Sequence, residues 1–162
     1  MSIQHIIQSM KELYNRHEQL LDLSKQKTEL VKQGDMEQLQ KLLVKERKSI
    51  RLAEQAESKR IESVQAWLEN NKLPLDDITV TNLLAHVEEK QEKQELEQAA
   101  INLAEVMMKL KQQEKLNQDL IQQSMQFVQF SLNLLQPSIE NMNYGNKDGA
   151  PSVKRSVFDS KA

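Results

Sequence analysis

Glycine and proline are so rare in this chain that only a few long helices suit its sequence. Six such residues occur among 162, at positions 34, 74, 137, 145, 149 and 151. Folds made of many strands need turn residues about every 8–12 positions, and this chain does not supply them. The stretches between the breaks are rich in Leu, Gln, Glu and Lys, which favour helices. The sequence therefore predicts an all-α fold whose long helices pack as a coiled-coil-like bundle.

Composition and charge exclude several classes of function. Cysteine is absent, which rules out disulfides, a thiol nucleophile and a cysteine-ligated zinc site. The 22 basic and 24 acidic residues nearly cancel, so no electrostatic attraction to nucleic acid or to an anionic membrane is expected. The first residues lack a basic segment followed by an apolar one, and no apolar stretch is long enough to cross a bilayer. We therefore expect a cytoplasmic protein without stable membrane insertion.

The first two helices are predicted over residues 2–32 and 36–70. Apolar residues recur in both at alternating intervals of three and four, which is the heptad spacing of coiled coils. Gly34 can adopt the left-handed conformation that ends a helix. Asp35 can then cap the second helix, with Gln38 as its reciprocal partner. These features predict a tight turn between two antiparallel helices.

Folding the two helices back on each other brings apolar positions opposite one another along the whole length. Leu20 then faces Ile50, Ile6 faces Val64 and Ile3 faces Trp67. The same face of the second helix also holds Leu42, Ala53, Ile61 and Leu68. The alignment also places Lys27 near Glu46. Because a polar pair within an apolar seam fixes the register of its helices, we expect this contact to define the hairpin.

The rest of the chain is predicted to hold a third long helix and a tail. Pro74 ends the second helix, because proline lacks the backbone donor and its ring clashes with the preceding turn. A short helix at 79–86 is followed by the third long helix at 88–136. Residues 137–162 contain two glycines and two prolines but few large apolar side chains, which predicts a disordered tail.

No residue pattern indicates an enzyme. The three histidines, His5, His17 and His86, do not form a pair at metal-ligand spacing. Nucleotide-binding glycine motifs are absent, and a hairpin of helices offers few concave sites. We therefore expect no catalytic residue, no metal and no cofactor. A remote alternative is a helical phosphotransfer domain that uses His17, which lies on the apolar seam.

The third helix has more apolar surface near its end than packing on one hairpin requires. On a helical wheel, residues 116–135 present an apolar arc of roughly 220°, about twice the ~100° stripe of an ordinary amphipathic helix. The arc has two flanks, separated by Asn117, Ser124 and Ser131. The first flank consists of Leu116, Leu120, Phe127, Phe130 and Leu134, and the second of Ile121, Met125, Val128, Leu132 and Leu135.

Two interpretations of this arc are open. In the first interpretation, the end of the third helix is buried by the rest of the bundle or by a second copy of the chain. In the second interpretation, one flank packs against the chain's own helices, and the other binds an amphipathic helix of a client protein.

The hairpin and the third helix together resemble the FlgN-type flagellar export chaperones. That family typically shows a leucine, a Gly-Asp turn, a leucine and a glutamate in this order, as in Leu30, Gly34-Asp35, Leu39 and Glu46 here. The third helix matches over the pattern of leucine, asparagine and aromatic positions at 116–135. The likeness covers about residues 3–136.

One further detail departs from the family pattern and another agrees with it. Family members often have a second asparagine three positions before Asn117, where this chain has Glu114. The ending at 154–162 is similar to the tails of FlgN-like proteins from Bacillus-type bacteria.

The resemblance implies a cytoplasmic chaperone of the hook-filament junction proteins, also called hook-associated proteins. Residues 1–136 would be its helical chaperone domain. Such a chaperone binds the amphipathic terminal helices of its clients, prevents their premature assembly and delivers them to the export gate of the flagellar type III apparatus. Tyr144 and Phe158 are the candidates for docking at that gate. The client-binding residues are expected to be Leu116, Asn117, Leu120, Ile121, Met125, Phe127, Val128, Phe130, Leu132, Leu134 and Leu135.

A second hypothesis needs no client. Heptad patterns also suit a self-associating coiled-coil scaffold, in which the wide arc of the third helix is the dimer face. Whether the chain is a homodimer stays open at this point.

Overall fold

The computed structural model describes the backbone of residues 2–76 and 79–143, and the side chains of these residues up to position 136. It consists of four helices, which we number in chain order: α1 (Ile3–Gln33), α2 (Met36–Asn70), α3 (Val80–His86) and α4 (Lys90–Asn143). The predicted all-α class is confirmed. The chain divides into two compact units, Met1–Gln122 and Gln123–Ala162.

The turn between α1 and α2 has the predicted glycine conformation and aspartate cap, but the N–H of Asp35 donates to Leu30 and not to the Gln38 side chain. Gly34 adopts φ = 68°, and its N–H donates to the carbonyl of Val31. The N–H of Asp35 donates to the carbonyl of Leu30. The Asp35 carboxylate then accepts a hydrogen bond of 3.1 Å from the N–H of Gln38 and caps α2. These bonds satisfy backbone groups that would otherwise lack partners where one helix ends and the next begins.

The seam between α1 and α2 is as expected on α1 but differs on α2. Ile6, Ile7 and Met10 of α1 are almost fully buried. On α2 the predicted seam residues Ile50 and Ile61 are exposed, and this part of the prediction is wrong. The other predicted seam residues of α2 are buried as expected, namely Leu42, Ala53, Val64, Trp67 and Leu68, and Ser49 and Ala56 are buried in addition.

The difference on α2 has a steric reason. Ala53 and Ala56 are buried, and a face of small side chains allows close approach of a neighbouring helix. The isoleucines lie on a neighbouring face of the same helix. A heptad pattern with several apolar positions per turn permits more than one such face, so spacing alone does not select it.

The segment between α2 and α4 closes one end of the first unit. Thr79 caps α3 by accepting a hydrogen bond of 3.3 Å from the N–H of Asn82. Leu83 of α3 and Val87 are buried in the same cluster as Ile3 and Trp67. The short helix is therefore part of the core.

α4 runs parallel to α1 in the first unit. Hydrogen bonds join Gln4 to Glu92 and Thr28 to Asn117, across sequence separations of 88 and 89 residues. The nearly constant separation fixes the register. It brings the end of α1 level with about residue 121 of α4. The α4 residues buried in this contact are Leu96, Ala99, Leu103, Val106 and Asn117.

α4 ends later than its predicted boundary. The helix continues beyond Gln136 to Asn143, so Pro137 lies within it. Proline disfavours a helix interior but does not forbid it, and proline-containing helices are a known exception to the rule used for the boundary. The remainder of the predicted disordered tail, residues 144–162, lies outside the described residues.

Candidate functional site

Most of the predicted client-binding side chains are exposed. Within the second unit these are seven apolar residues, which we call the exposed strip. Phe127 is 70% exposed and Met125 68% exposed. Apolar side chains exposed in a contiguous group mark interaction surfaces more often than scattered single ones do. The exposed strip consists of Met125, Phe127, Val128, Phe130, Leu132, Leu134 and Leu135.

The remaining four candidates belong to the first unit and differ among themselves. Leu116 and Ile121 are exposed, and Leu120 is half-buried. Asn117 is only 1% exposed. Its side chain lies in the interior, so it is not available to a client in this structure.

Asn117 is held by polar groups of α1. Its Nδ2 donates to the carbonyl of Ser24 at 2.9 Å and to the hydroxyl of Ser24 at 3.0 Å. The hydroxyl of Thr28 donates to Asn117 Oδ1, and Gln113 Nε2 donates to that hydroxyl at 2.6 Å. All polar groups of the Asn117 side chain are thus paired, which offsets the cost of burying them.

A buried charge lies beside this cluster. Lys27 Nζ lies 2.7 Å from Glu46 Oε2 and 3.3 Å from Glu114 Oε2, so the predicted Lys27–Glu46 contact is confirmed. Glu46 Oε2 is close enough for an ion pair but is not aligned as a hydrogen-bond acceptor. Glu114 also accepts a hydrogen bond of 2.7 Å from Ser24. The residue that replaces the family's second asparagine therefore takes part in the contact between α1 and α4.

These residues form one polar layer at the meeting of α1, α2 and α4. Apolar contacts alone tolerate sliding of one helix along another, whereas paired polar groups match in one register. The polar layer therefore fixes which part of α4 packs on α1. It consists of Ser24, Lys27, Thr28, Glu46, Gln113, Glu114 and Asn117.

The sequence around the exposed strip has a property that the helical-wheel analysis missed. No charged residue occurs between Asp119 and Glu140. The polar positions in this interval are glutamine, asparagine and serine. Counting charges along α4 would have revealed it, since charged residues make up 28% of the whole chain. A partner of this surface meets no ionic group along it.

The histidines make local contacts. His17 Nδ1 lies 3.0 Å from the carbonyl of Leu13, and His86 Nδ1 lies 2.8 Å from the carbonyl of Asn82. His5 Nδ1 lies 3.0 Å from the hydroxyl of Ser2. Within the described parts of the chain, no three His, Asp or Glu side chains are grouped so that they could hold a metal ion.

The titrating groups with shifted pKa values belong to local side-chain pairs. Two hydrogen bonds from Arg60 lower the pKa of the Glu57 carboxyl, although partial burial opposes the shift. The same pairing raises the pKa of Arg60. A hydrogen bond to Glu18 raises the pKa of Tyr14. Each pair joins residues three or four positions apart on one helix, which is the arrangement of a structural contact.

No helix in the described residues is both long enough and apolar enough to be a candidate membrane span.

Comparisons with known proteins agree with the resemblance seen in the sequence. The model of the FlgN protein family matches residues 1–152. YvyG of Bacillus subtilis (strain 168), described as an uncharacterized protein, is 37% identical over 168 residues, and the match spans the whole of both chains. No solved structure matches. With a family model that covers nearly its full length, the chain belongs to the FlgN family of flagellar export chaperones.

Proposed function

We propose that this protein binds the amphipathic terminal helices of hook-filament junction proteins in the cytoplasm and keeps them unassembled until export. The observation that supports the proposal best is the exposed strip at 125–135. Junction proteins assemble through coiled-coil helices, whose apolar faces associate prematurely if left uncovered. A chaperone that offers a matching apolar helix covers that face. This is helix-in-groove recognition.

An interface of standard size would suit reversible binding. A standard protein–protein interface buries about 800 Å² on each partner. Affinities from about micromolar to nanomolar then leave the client releasable at the export gate. Methionine and leucine side chains adapt to different partner shapes, which helps a chaperone that serves more than one client.

We propose that the segment after α4 mediates delivery of the client to the export gate. Tyr144 is the first candidate for this contact and Phe158 the second, and both lie outside the described residues. Tyr144→Ala is expected to leave client binding intact and to reduce export of the client in cells. Equal secretion by the variant and the unmodified protein would remove Tyr144 from this role.

The client-binding surface is tested by adding a charge to it. Phe127→Asp and Val128→Asp are each expected to weaken capture of a purified junction protein by about tenfold or more, because an aspartate in an apolar contact loses its hydration. Both residues are exposed, so helicity and the melting temperature should change little.

Met108→Asp is the matched control, because Met108 lies on the same helix and is similarly exposed but lies outside the strip. Unchanged capture by both strip variants would place the site elsewhere. Loss of helicity in these variants would mean that the strip is part of the core.

A self-associating scaffold is the second candidate function. It is favoured by the same strip, because an apolar helix face without a partner in one chain also suits a second copy. Light scattering on the purified protein distinguishes the two functions. A tight dimer at low micromolar concentration that ignores junction proteins supports the scaffold.

A further inference from the structure

The outer side of α2 carries a dense group of positive charges. Between residues 41 and 51 there are five basic residues and one acidic residue. The acidic one is Glu46, whose carboxylate contacts the buried Lys27 at 2.7 Å. No other acidic side chain occurs in this interval to offset the exposed cations. The five exposed basic residues, which we call the basic face, are Lys41, Lys45, Arg47, Lys48 and Arg51.

Four of these five side chains have no acidic partner among the described residues. Lys41 lies 3.1 Å from Glu37, but the other four form no ion pair with any residue that the structure describes. Like charges three or four positions apart on a helix lower its stability, and Lys45, Lys48 and Arg51 have this spacing. Because these exposed side chains add nothing to the packing of the core, their cost points to a role outside the fold.

The net charge of the chain conceals the basic face. Around the start of α4, residues 88–97 include five acidic and two basic residues. α1 spans the distance between the two regions, since Gln4 contacts Glu92 and Lys27 contacts Glu46. Positions 4 and 27 are about 35 Å apart along the helix, which is several times the Debye length of ~8 Å at physiological ionic strength. The acidic region therefore does not neutralise the basic face, and the lack of attraction expected from the net charge does not hold there.

The basic face is convex and has an exposed valine near its middle. At 100° per residue, the five basic residues span an arc of about 160° and a length of about 15 Å. Val44 lies near the centre of this arc and is 65% exposed. No aromatic residue occurs between 36 and 51. The face thus lacks the aromatic anchors of most protein interfaces and the stacking groups of sites for single-stranded nucleic acid.

We propose that the basic face binds the anionic headgroups of a phospholipid bilayer, with α2 against the membrane surface. A fluid layer of phosphates meets a convex row of cations without a matching shape. Clusters of four to eight Lys and Arg on a helix are typical of binding to anionic lipids. The aliphatic stems of the lysines and Val44 then contact the apolar boundary below the headgroups. Such binding is peripheral and needs no membrane-spanning helix. It does not depend on the client-binding function.

The test uses the full-length chain and vesicles of two compositions: pure phosphatidylcholine, and an equal mixture of phosphatidylcholine and anionic phosphatidylglycerol. Lys45→Gln combined with Lys48→Gln removes two charges from the basic face. Lys90→Gln combined with Lys93→Gln is the matched control, because it removes two exposed lysines at the same spacing on α4 and gives the same net charge. Co-sedimentation measures the partition coefficients, and circular dichroism with thermal unfolding checks the fold.

We expect the unmodified chain to bind the mixed vesicles and not pure phosphatidylcholine. Each lysine close to an anionic bilayer raises affinity about fivefold, so the double variant of the basic face should bind about 25-fold more weakly and the control within about twofold of the unmodified chain. Raising NaCl from about 0.05 to 0.5 M should release the protein. Val44→Ser should weaken binding by about threefold, because less apolar surface is covered.

Four results would overturn the proposal. The first is no binding to the mixed vesicles, and the second is an equal loss in the two double variants, which would make overall charge responsible. The third is binding to pure phosphatidylcholine that survives high salt and is lost in Phe127→Asp, which would assign the membrane contact to the exposed strip. The fourth is tighter binding to a DNA duplex than to vesicles, unaffected by Val44→Ser, which would make the basic face a nucleic-acid surface. Capture of junction proteins is measured separately, so failure of either function leaves the other standing.

Discussion

At the scale of single residues, the polar layer is what distinguishes this bundle from a purely apolar one. Asn117 and Lys27 are both buried, and both make several contacts with neighbouring helices. A buried polar side chain stabilises only when all of its groups are paired, so it favours one arrangement of its neighbours over all others. The layer therefore contributes mainly to specificity of packing.

Replacing Asn117 tests the layer directly. Asn117→Ala removes one hydrogen-bond acceptor of Thr28 and two hydrogen bonds to Ser24, and it leaves a small cavity. We expect the free energy of unfolding to fall by about 2 kcal/mol in urea denaturation. Asn133→Ala, the same change at an exposed position of α4, should stay within about 0.5 kcal/mol. Equal effects of the two substitutions would contradict the structural role of Asn117.

The Glu57–Arg60 pair predicts a pH dependence. Two hydrogen bonds of 2.7 Å lower the folded-state pKa of Glu57 below its ordinary value of 4.5. The stabilisation is therefore complete above pH 4.5 and is lost as pH falls below that value. Glu57→Gln should lower stability at pH 7 by less than about 1 kcal/mol, because the pair is partly exposed.

The difference between Glu57→Gln and the unmodified chain should disappear in acid. Glu62→Gln is the control, because Glu62 is exposed on the same helix and makes no ion pair with any described residue. A difference that persists at pH 3 would show that packing, and not the ionised pair, was lost.

At the scale of helices, α1 and α2 end with the same backbone conformation but with different residue types. Each helix is followed by a residue in the left-handed region, Gly34 at φ = 68° and Lys72 at φ = 54°. Glycine adopts this conformation without strain, whereas a side chain costs about 1–2 kcal/mol there. After Lys72, the N–H of Leu73 donates to the carbonyl of Leu68 at 2.9 Å and closes the end of α2.

Exchanging the residue types at these two ends should have opposite effects. Gly34→Ala is expected to lower stability by about 1 kcal/mol through backbone strain alone, since no atom lies within 4 Å of the added Cβ. Lys72→Gly should raise stability by about 0.5 kcal/mol, because relief of strain exceeds the added chain entropy. Thermal unfolding of both variants measures the signs. A loss in both would indicate that the Lys72 side chain makes a stabilising contact.

At the scale of the whole molecule, charge is spread very unevenly. The chain carries 46 charged residues and a net charge of −2, yet the 20 residues from 120 to 139 have none. If the exposed strip binds a client as proposed, Coulomb attraction should have little part in that binding and the hydrophobic effect a large one. Specificity must come from shape and from amide hydrogen bonds.

This distribution predicts how client binding responds to salt. Between about 0.05 and 0.5 M NaCl the dissociation constant of a junction protein should change by less than about threefold, because few exposed charges approach each other on binding. Isothermal titration calorimetry at several salt concentrations measures this, and a negative heat-capacity change should accompany binding. A steep loss of affinity with salt would instead indicate the charged beginning of α4, at residues 88–95, as the client site.

The sequence alone determined the features that depend on one helix at a time. Scarcity of glycine and proline indicated a few long helices, since propensity and breaks act locally, although Pro137 lies within α4 and did not end it. The turn at Gly34-Asp35 and the Lys27–Glu46 contact followed from residue type and from the symmetry of a hairpin. The wide apolar arc of the last helix was visible for the same reason.

Tertiary structure decided which of several suitable faces is used. Ile50 is exposed whereas the small residues Ala53 and Ala56 on a neighbouring face of α2 are buried, a choice that depends on the volume of both packing partners. Asn117 faces inward because α4 runs parallel to α1 and meets Ser24 and Thr28 in that register. Hydrophobic periodicity gives the candidate faces of a helix but not the face used, nor the direction, register or identity of its neighbour, because those depend on contacts between residues far apart in the chain.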